Sequence, residues 1–355
     1  MANCNIEKGR SLLRIIFTLL SMKKALLILL SITLFPFFYS CNWHKDRLKV
    51  DLSQVKIPQI SINRYDEDLF KIPVSDLKKG LFSIQPKYLF FLGTDLNDTL
   101  KLAEIKTYLE NPRTNDFHQA VHEKFLTLTS EEERLSDAFR HINYYYPSAR
   151  LPHLYGYISG GDYENPVRLV DSIMIIALDC YLGSNFKPYL SDGVSQYKIH
   201  RMTPEYIVPD CIATMVNEIC PVNSSAVTLL DQMVDAGKRL YLADAFQPSA
   251  PDSLKIGYST GQYDWITKNE SHVWAAIIDN SMLYTSMSEY ARVFFSDGPF
   301  TASFGKESPP RLGEWIGWRI VKAYMDNNTK VTLQNLVMER DSQKILTLSG
   351  YKPEK

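Results

Sequence analysis

Two histidines stand four residues apart in the segment His118-Gln-Ala-Val-His122. Residues four apart share one face of an α-helix and imidazole is a common zinc ligand, so this pair could hold a metal ion. The residue after the first histidine is Gln119, and an amide cannot supply the general base that a glutamate supplies in zinc peptidases. The pair also borders an apolar stripe. The same pattern is therefore consistent with two histidines that lie at the solvent edge of a helix and bind no metal.

A single carboxylate, Glu270, interrupts an apolar stripe at helical spacing that includes Ile266, Val273 and Ile277. A buried carboxylate must be hydrogen-bonded, paired with a cation or protonated, and such groups are frequent at functional sites. A carboxylate that fixes a loop or a helix end satisfies the same pattern. The sequence leaves both interpretations of Glu270 open.

The most distinctive segment is Lys306–Trp318, which reads KESPPRLGEWIGW. Its two prolines favour the first turn of a helix, and Glu307 and Arg311 could pair across that turn. Gly313 and Gly317 lie four residues apart, which leaves a groove where another backbone can approach closely. Close helix packing explains this segment without any catalytic role.

The elements that must position these residues follow from hydrophobic periodicity. Alternation predicts strands within residues 47–63 and 154–159, and the continuous apolar run at 172–178 predicts a buried strand. Helical stripes predict one helix opened by a Ser130–Glu133 capping box, one from Pro209 and one capped by Ser224-Ser225. Further helices are predicted around 117–125, 264–279 and 312–325. Because no linker or repeat divides residues 50–355, the sequence predicts a single helix-rich α+β domain, with a small N-terminal strand region and a helical C-terminal half.

The first forty residues are typical of a secretory signal. Lys23-Lys24 precedes the apolar run 25–38, which is too short for a comfortable membrane span of about 20 residues. Met22 is an alternative translation start, because a chain that began there would carry Lys23-Lys24 as the basic region of the signal. The ending Phe38-Tyr-Ser-Cys41 resembles the bacterial lipobox, which implies a signal peptide at 1–40 and lipidation of Cys41. Residues 41–49 are then the lipidated anchor and a short tether, and we expect the anchored protein to face the periplasm.

Composition narrows the function classes further. The chain has 39 basic and 40 acidic residues, so it lacks the excess positive charge that nucleic-acid binding needs. Cys211 and Cys220 lie about 13 Å apart if they share one helix, too far for a disulfide, and no Cys/His spacing is typical of structural zinc. We therefore predict no cofactor and no disulfide framework.

The mature chain resembles the gliding-motility lipoprotein GldB family of Bacteroidota. The resemblance implies a non-enzymatic, membrane-anchored lipoprotein of the cell envelope that supports gliding motility or the linked secretion machinery, with envelope proteins of those systems as partners. The stretches that carry it are Asn63–Phe70, Tyr157–Gly160, Leu178–Gly183, Leu229–Tyr241, Glu307–Trp318 and Ile345–Pro353.

The C-terminal half is also similar, more distantly, to gluzincin-like zinc peptidases. Their HExxH helix corresponds in this chain to Asn217-Glu-Ile-Cys-Pro221, and their third metal ligand corresponds to Ala236. Only Glu218, at the general-base position, is kept, and HExxH occurs nowhere in the chain. The resemblance implies a peptidase-like fold without its metal, whose cleft binds protein or peptide. The polar residues that we expect to line this cleft are Tyr157, Glu218, Lys238, Glu270 and Arg311.

Two alternatives belong to other function classes. A metal-dependent hydrolase could use a rearranged site of His118, His122 and a carboxylate. A carbohydrate-binding envelope module would use exposed aromatic residues, of which the chain has five Trp, 21 Tyr and 17 Phe. Most of these aromatic residues fall in apolar stripes, so core packing also accounts for them.

Overall fold

The computed structural model describes residues 47–286 and 289–353, and the predicted signal peptide and Cys41 lie outside these residues. The chain divides into two compact units, and every strand and helix named below belongs to the second, which begins at Asp51. The predicted helix-rich α+β class is confirmed. The strands are β1 (Ile62–Arg64), β2 (His153–Tyr157), β3 (Val167–Val170) and β4 (Ile173–Ala177). The helices are α1 (Tyr65–Phe70), α2 (Leu77–Ile84), α3 (Leu89–Leu92), α4 (Thr99–Glu110), α5 (Pro112–Lys124), α6 (Thr129–Tyr145), α7 (Lys187–Ser191), α8 (Gln196–Ile199), α9 (Ile207–Ile219), α10 (Leu229–Phe246), α11 (Asp252–Ile256), α12 (Thr260–Asp279), α13 (Glu289–Phe295), α14 (Leu312–Asn327), α15 (Leu333–Met338) and α16 (Ser342–Ser349).

The four strands form one sheet in the order β1-β2-β4-β3. β1, β2 and β4 are parallel, and β3 pairs antiparallel with β4 through a tight turn at Asp171, which adopts a left-handed conformation. The predicted strands at 154–159 and 172–178 are confirmed as β2 and β4. Of the predicted region 47–63, only its end forms a strand, β1 at Ile62–Arg64. The four-residue strand β3 has no counterpart among the predictions.

The helix after residue 129 buries the predicted stripe Leu135, Ala138, Phe139 and Ile142. The predicted Ser130–Glu133 capping box is wrong, because α6 begins at Thr129 and places Ser130 inside its first turn. The neighbouring carboxylate, Glu132, instead accepts a hydrogen bond from the amide of Ile62 at 2.8 Å. The first turn of α6 is therefore hydrogen-bonded to the edge strand β1 and is not capped by a side chain of its own.

The C-terminal half is built on the contact between α10 and α14. A Cβ placed on Gly317 would stand 1.7 Å from the carbonyl oxygen of Met233, and one on Gly237 would stand 2.2 Å from that of Gly317. The expected close approach of a second backbone at Gly317 is therefore confirmed, whereas Gly313 faces the ring of Phe295.

The start of α10 differs from the prediction. The capping box that opens this helix is Thr228 with Asp231, not Ser224-Ser225, because the residues between them form a turn before the helix begins. The three cysteines of the body, Cys180, Cys211 and Cys220, are buried free thiols, as the spacing argument predicts for the last two.

Candidate functional site

A cavity of about 150 Å³ lies where β4 ends in the sheet. Cys180 and Tyr181, which follow β4, form one wall, and Tyr163, which follows β2, forms another. Ligands in parallel sheets bind at this edge because the chain turns away from neighbouring strands there and leaves a crevice. The charged and imidazole side chains that line the cavity are Glu164, Lys198, His200, Arg201, Asp210, Asp297 and Arg311.

The loop that forms the β2 side of this edge is fixed by a buried carboxylate that the sequence patterns did not reveal. Asp179 accepts hydrogen bonds from the amides of Ser159 and Gly160 at 2.8 and 3.0 Å, and from the Ser159 hydroxyl at 2.8 Å. Burial raises the pKa of Asp179, although these donors oppose the shift. Two of the stretches that carry the family resemblance, Tyr157–Gly160 and Leu178–Gly183, thus meet at one carboxylate.

Asp210, on α9, joins two groups of the cavity wall. Its carboxylate accepts a hydrogen bond from the Tyr181 hydroxyl at 2.8 Å, and Nη2 of Arg201 lies 3.4 Å from its second oxygen. Burial raises the pKa of Asp210, and the positive charge of Arg201 only partly offsets that rise.

Arg311 enters the cavity from the start of α14. Its backbone is left-handed, with φ 54°, which costs an L-residue about 1–2 kcal/mol. Nη2 donates to the carbonyl of Ile256 at 2.6 Å and Nη1 to Glu314 at 3.0 Å, so its carboxylate partner is Glu314 rather than the expected Glu307. The guanidinium lies over the ring of Tyr258, 5.7 Å from the centroid. These contacts hold a buried cation in one place.

Both arginines keep one buried donor unused. Among the residues that the structure describes, Nε of Arg201 and Nε of Arg311 have no hydrogen-bond partner. The nearest carboxylate to the second is Asp297, at 3.6 Å, beyond hydrogen-bonding distance. A Cβ on Gly257, which has φ +74°, would stand 2.9 Å from Nε of Arg201, so only glycine leaves room for this guanidinium.

His200 and Lys198 complete the basic side of the cavity. Nδ1 and Nε2 of His200 lie 2.6 and 3.2 Å from the carbonyl oxygens of Tyr197 and Gly257. Because carbonyl oxygens only accept, both contacts are hydrogen bonds only when both ring nitrogens carry protons. Lys198 donates to the exposed Glu164 at 2.6 Å. The arrangement can bind and orient a small group rich in acceptor atoms.

Of the five side chains expected to line a cleft, Arg311 lines this cavity and the other four lie in different surroundings. Glu270 accepts hydrogen bonds from Trp315 Nε1 at 2.9 Å and from the Tyr351 hydroxyl at 2.9 Å, and it pairs with Arg319 at 3.2 Å. These contacts join α12, α14 and the C-terminal segment. They favour the structural interpretation of this carboxylate.

The remaining three candidates differ in exposure. Lys238, on α10, is buried and donates to the carbonyl of Glu339, and burial lowers its pKa. Tyr157 ends β2 half-buried beside the ring of Phe91, and burial raises its pKa. Glu218 is exposed near the end of α9. Whether these residues contact a ligand stays a prediction.

The two histidines of α5 have protein partners. His118 stacks on Phe70 with ring centroids 4.0 Å apart, and Nδ1 of His122 lies 2.9 Å from Glu67. Burial lowers the pKa of His118. Within residues 47–286 and 289–353, no group of three or more His, Cys, Asp or Glu side chains is arranged to hold a metal ion. The described part of the chain also contains no helix that is both long enough and apolar enough to cross a bilayer.

Comparison with known proteins identifies the family. No curated protein and no solved structure is similar enough to this chain to count as a match. The family model described as gliding motility protein GldB matches residues 45–353, which is most of the chain and includes every residue that the structure describes. The predicted resemblance to this family is thereby confirmed, and the chain belongs to the GldB family.

Proposed function

We propose that this protein is a lipid-anchored lipoprotein of the cell envelope that supports gliding motility, or the secretion machinery linked to it, by binding a segment of another envelope protein. Membership of the GldB family supports the link to gliding. The lipobox-like sequence ending at Cys41 supports the anchor, with the folded domain facing the periplasm. The role is one of binding rather than catalysis.

The observation that carries the binding role is the cavity at the carboxyl end of β4. Its two arginines are held in place by Asp210, Glu314 and the backbone of Ile256, and Lys198, Glu164 and Asp297 line the space beside them. Fixed side chains of both charges offer hydrogen-bond donors and acceptors to a segment of a partner protein.

The experiment uses a bacterium that encodes this chain and tests the link to gliding first. Deletion of the gene should abolish gliding, or secretion by the linked machinery. If deletion leaves both unchanged, the proposed cellular role is wrong.

The cavity and the anchor are then tested by replacing the wild-type gene with variants. Arg201→Gln should reduce gliding or secretion at unchanged protein level. Arg140→Gln is the matched control, because that side chain also pairs with an aspartate, Asp137, but lies outside the cavity. Cys41→Ser should move the protein from the detergent-extracted membrane fraction to the soluble periplasmic fraction. Persistent membrane association of the serine variant would contradict lipidation at Cys41, and equal loss with both arginine variants would contradict the role of the cavity.

A further inference from the structure

Helices α2 and α3 carry an exposed face that is both apolar and basic. We propose that this face lies on a bilayer of anionic phospholipid, as a second membrane contact made by the folded domain itself. The residues of this membrane face are Lys78, Lys79, Phe82, Leu89 and Phe90. The inference rests on the proposed lipid anchor, because the anchor is what holds the domain beside a bilayer.

The helical spacing of α2 places three of these residues on one side. Leu77 and Leu81 are buried in a hydrophobic cluster of this part of the chain. Phe82 follows Lys78 by four residues and Lys79 by three, so the three side chains are neighbours on the helix surface. At about 100° per residue, they point away from the two buried leucines. One side of α2 therefore packs on the core, and the opposite side is apolar and basic.

Helix α3 continues the same arrangement. Its exposed residues Leu89 and Phe90 lie between Tyr88 and Leu92, which are buried in the same cluster as the leucines of α2. Gln85, one turn after Phe82, donates through Nε2 to the carbonyl oxygens of Gly93 and Thr94 at 2.7 and 3.1 Å. These bonds hold the end of α2 against the end of α3. The exposed side chains of the two helices thus lie on the outer side of one compact layer.

The exposure of these apolar side chains is unusual for this protein. Phe82, Leu89 and Phe90 are 46%, 52% and 41% exposed. Phe82 and Phe90 are the two exposed phenylalanines among the residues that the structure describes. A group of large exposed apolar side chains on one surface is typical of an interaction site.

The charge of the same segment selects the partner. Residues 71–92 contain four lysines and one acid, Asp76, although acidic residues outnumber basic ones in the whole chain. Lys87 pairs with Asp68 at 3.0 Å. Lys78 and Lys79, by contrast, form no ion pair with any residue that the structure describes. Two exposed cations without a protein partner, beside exposed apolar rings, are complementary to a surface that is anionic outside and apolar inside.

A bilayer meets both requirements, and the proposed anchor keeps one within reach. Ten residues separate Cys41 from Asp51, where the folded unit begins, and a fully extended segment of that length spans at most about 36 Å. A short tether of this kind makes a weak contact effectively intramolecular. Phenylalanine and leucine side chains enter the boundary of the acyl chains, while the flexible lysine stems let the ammonium groups stay at the phosphates.

The test measures vesicle binding by residues 42–355, which contain every helix and strand of the structure and the whole second compact unit but no acyl chain. Co-sedimentation compares vesicles of equal parts phosphatidylglycerol and phosphatidylcholine with vesicles of phosphatidylcholine alone. The mixed vesicles should bind at least about tenfold more tightly, and the difference should shrink as salt is added. Equal binding to both vesicles, or no sedimentation with the mixed vesicles at millimolar lipid, would overturn the proposal.

Two lysine variants connect this binding to the charges of the membrane face. Each lysine near an anionic surface strengthens binding about fivefold, so the double variant Lys78→Gln/Lys79→Gln should bind mixed vesicles about thirtyfold more weakly. Lys268→Gln/Lys330→Gln is the matched control, because these lysines are also exposed and form no ion pair with a described residue. The control should bind like the wild type. Equal losses in the two double variants would overturn the assignment of the face.

Two further variants test the apolar part of the face. Phe82→Ser should weaken binding to mixed vesicles about fivefold, because roughly half of its side chain is available for burial in the bilayer. Leu348→Ser, on α16, is the matched control, since Leu348 is 45% exposed. Binding by Phe82→Ser that equals binding by Leu348→Ser would contradict insertion of this ring.

The two proposals fail separately, because residues 42–355 carry no acyl chain and their binding does not depend on lipidation. In the Cys41→Ser experiment the membranes are washed with high salt, which releases a protein held through lysines but not one held by acyl chains. If the serine variant is released but mixed vesicles do not bind residues 42–355, the membrane face is wrong and the anchor stands. If washed membranes retain the serine variant while mixed vesicles bind residues 42–355, the anchor is wrong and the membrane face stands.

Discussion

Replacement of Gly317 by alanine tests whether the contact between α10 and α14 sets the stability of the C-terminal half. The added Cβ would stand 1.7 Å from the carbonyl oxygen of Met233, 2.4 Å from its carbonyl carbon and 2.9 Å from its Cα, whereas real Cβ contacts do not fall below 3.0 Å. All three neighbours are backbone atoms, so no side chain can swing aside. The two helices must separate along their whole contact.

The magnitude follows from two opposing effects. Overpacking of a core costs about 1–3 kcal/mol for a shift that side chains can absorb, and more when they cannot. Alanine is favoured over glycine inside a helix by about 1 kcal/mol, which offsets part of that cost. Because the contacts are to backbone, we take the upper end of the first range, about 3 kcal/mol, and expect Gly317→Ala to lower the free energy of unfolding by about 2 kcal/mol or more. The urea midpoint should fall without a change in slope.

Gly261 provides the matched control. It lies inside α12 with no heavy atom within 4 Å of the position its Cβ would take. Gly261→Ala should leave the free energy of unfolding unchanged or raise it by up to about 1 kcal/mol. Urea unfolding of the three proteins, followed by far-UV circular dichroism, gives the comparison. A Gly317→Ala protein as stable as Gly261→Ala would refute the argument that backbone contact at this glycine holds the two helices.

Two further predictions concern the buried polar groups. Glu270→Ala should lower the free energy of unfolding by about 2–4 kcal/mol, because it leaves the donors of Trp315 and Tyr351 without an acceptor, whereas Glu218→Ala, at an exposed carboxylate of α9, should leave it nearly unchanged. Equal free energies of unfolding for the two variants would contradict the structural role of Glu270. Burial lowers the pKa of Lys238 in the folded protein below its value of 10.5 in the unfolded chain. Between these two pKa values the unfolded chain binds a proton at this lysine and the folded protein does not. The free energy of unfolding of the wild type therefore rises with pH over this interval. The stability of Lys238→Met relative to wild type should therefore decrease over that interval, and a difference that stays constant with pH would contradict this argument.

The predictions from sequence succeeded where one element determines the pattern. The stripe from Leu135 to Ile142 indicates one buried helix face, and the continuous apolar run of β4 indicates a strand buried on both faces, so the local pattern alone located them. The predictions failed where a distant partner decides the outcome. Ser130 and Glu133 have the spacing of a capping box, but α6 already begins at Thr129. Its first turn is instead hydrogen-bonded to the edge strand, because Glu132 accepts from the amide of Ile62. The local sequence contains several adjacent glutamates and does not indicate which of them accepts a hydrogen bond from an amide 70 residues away.

The same limit explains why Arg201 and Asp210 were not among the expected site residues. Arg201 lies in a short connection after α8 without any motif around it, and only the packed structure shows that it lines the cavity. Asp179 is similar, since its four nearby donors come from the loop after β2. Arg311 was among the expected site residues because it lies in the distinctive segment Lys306–Trp318.

That segment also shows that packing and function need not be alternatives. Gly317 brings α14 against the backbone of α10 within two turns of the start of the helix. The first residue before the helix is Arg311, whose left-handed backbone turns its guanidinium toward the turn at Ile256 and the cavity. Close helix packing accounts for the glycines, as the sequence suggested. It does so, however, in the helix that positions the Arg311 guanidinium, so the packing of the first turns of α14 maintains the geometry of the site beside them.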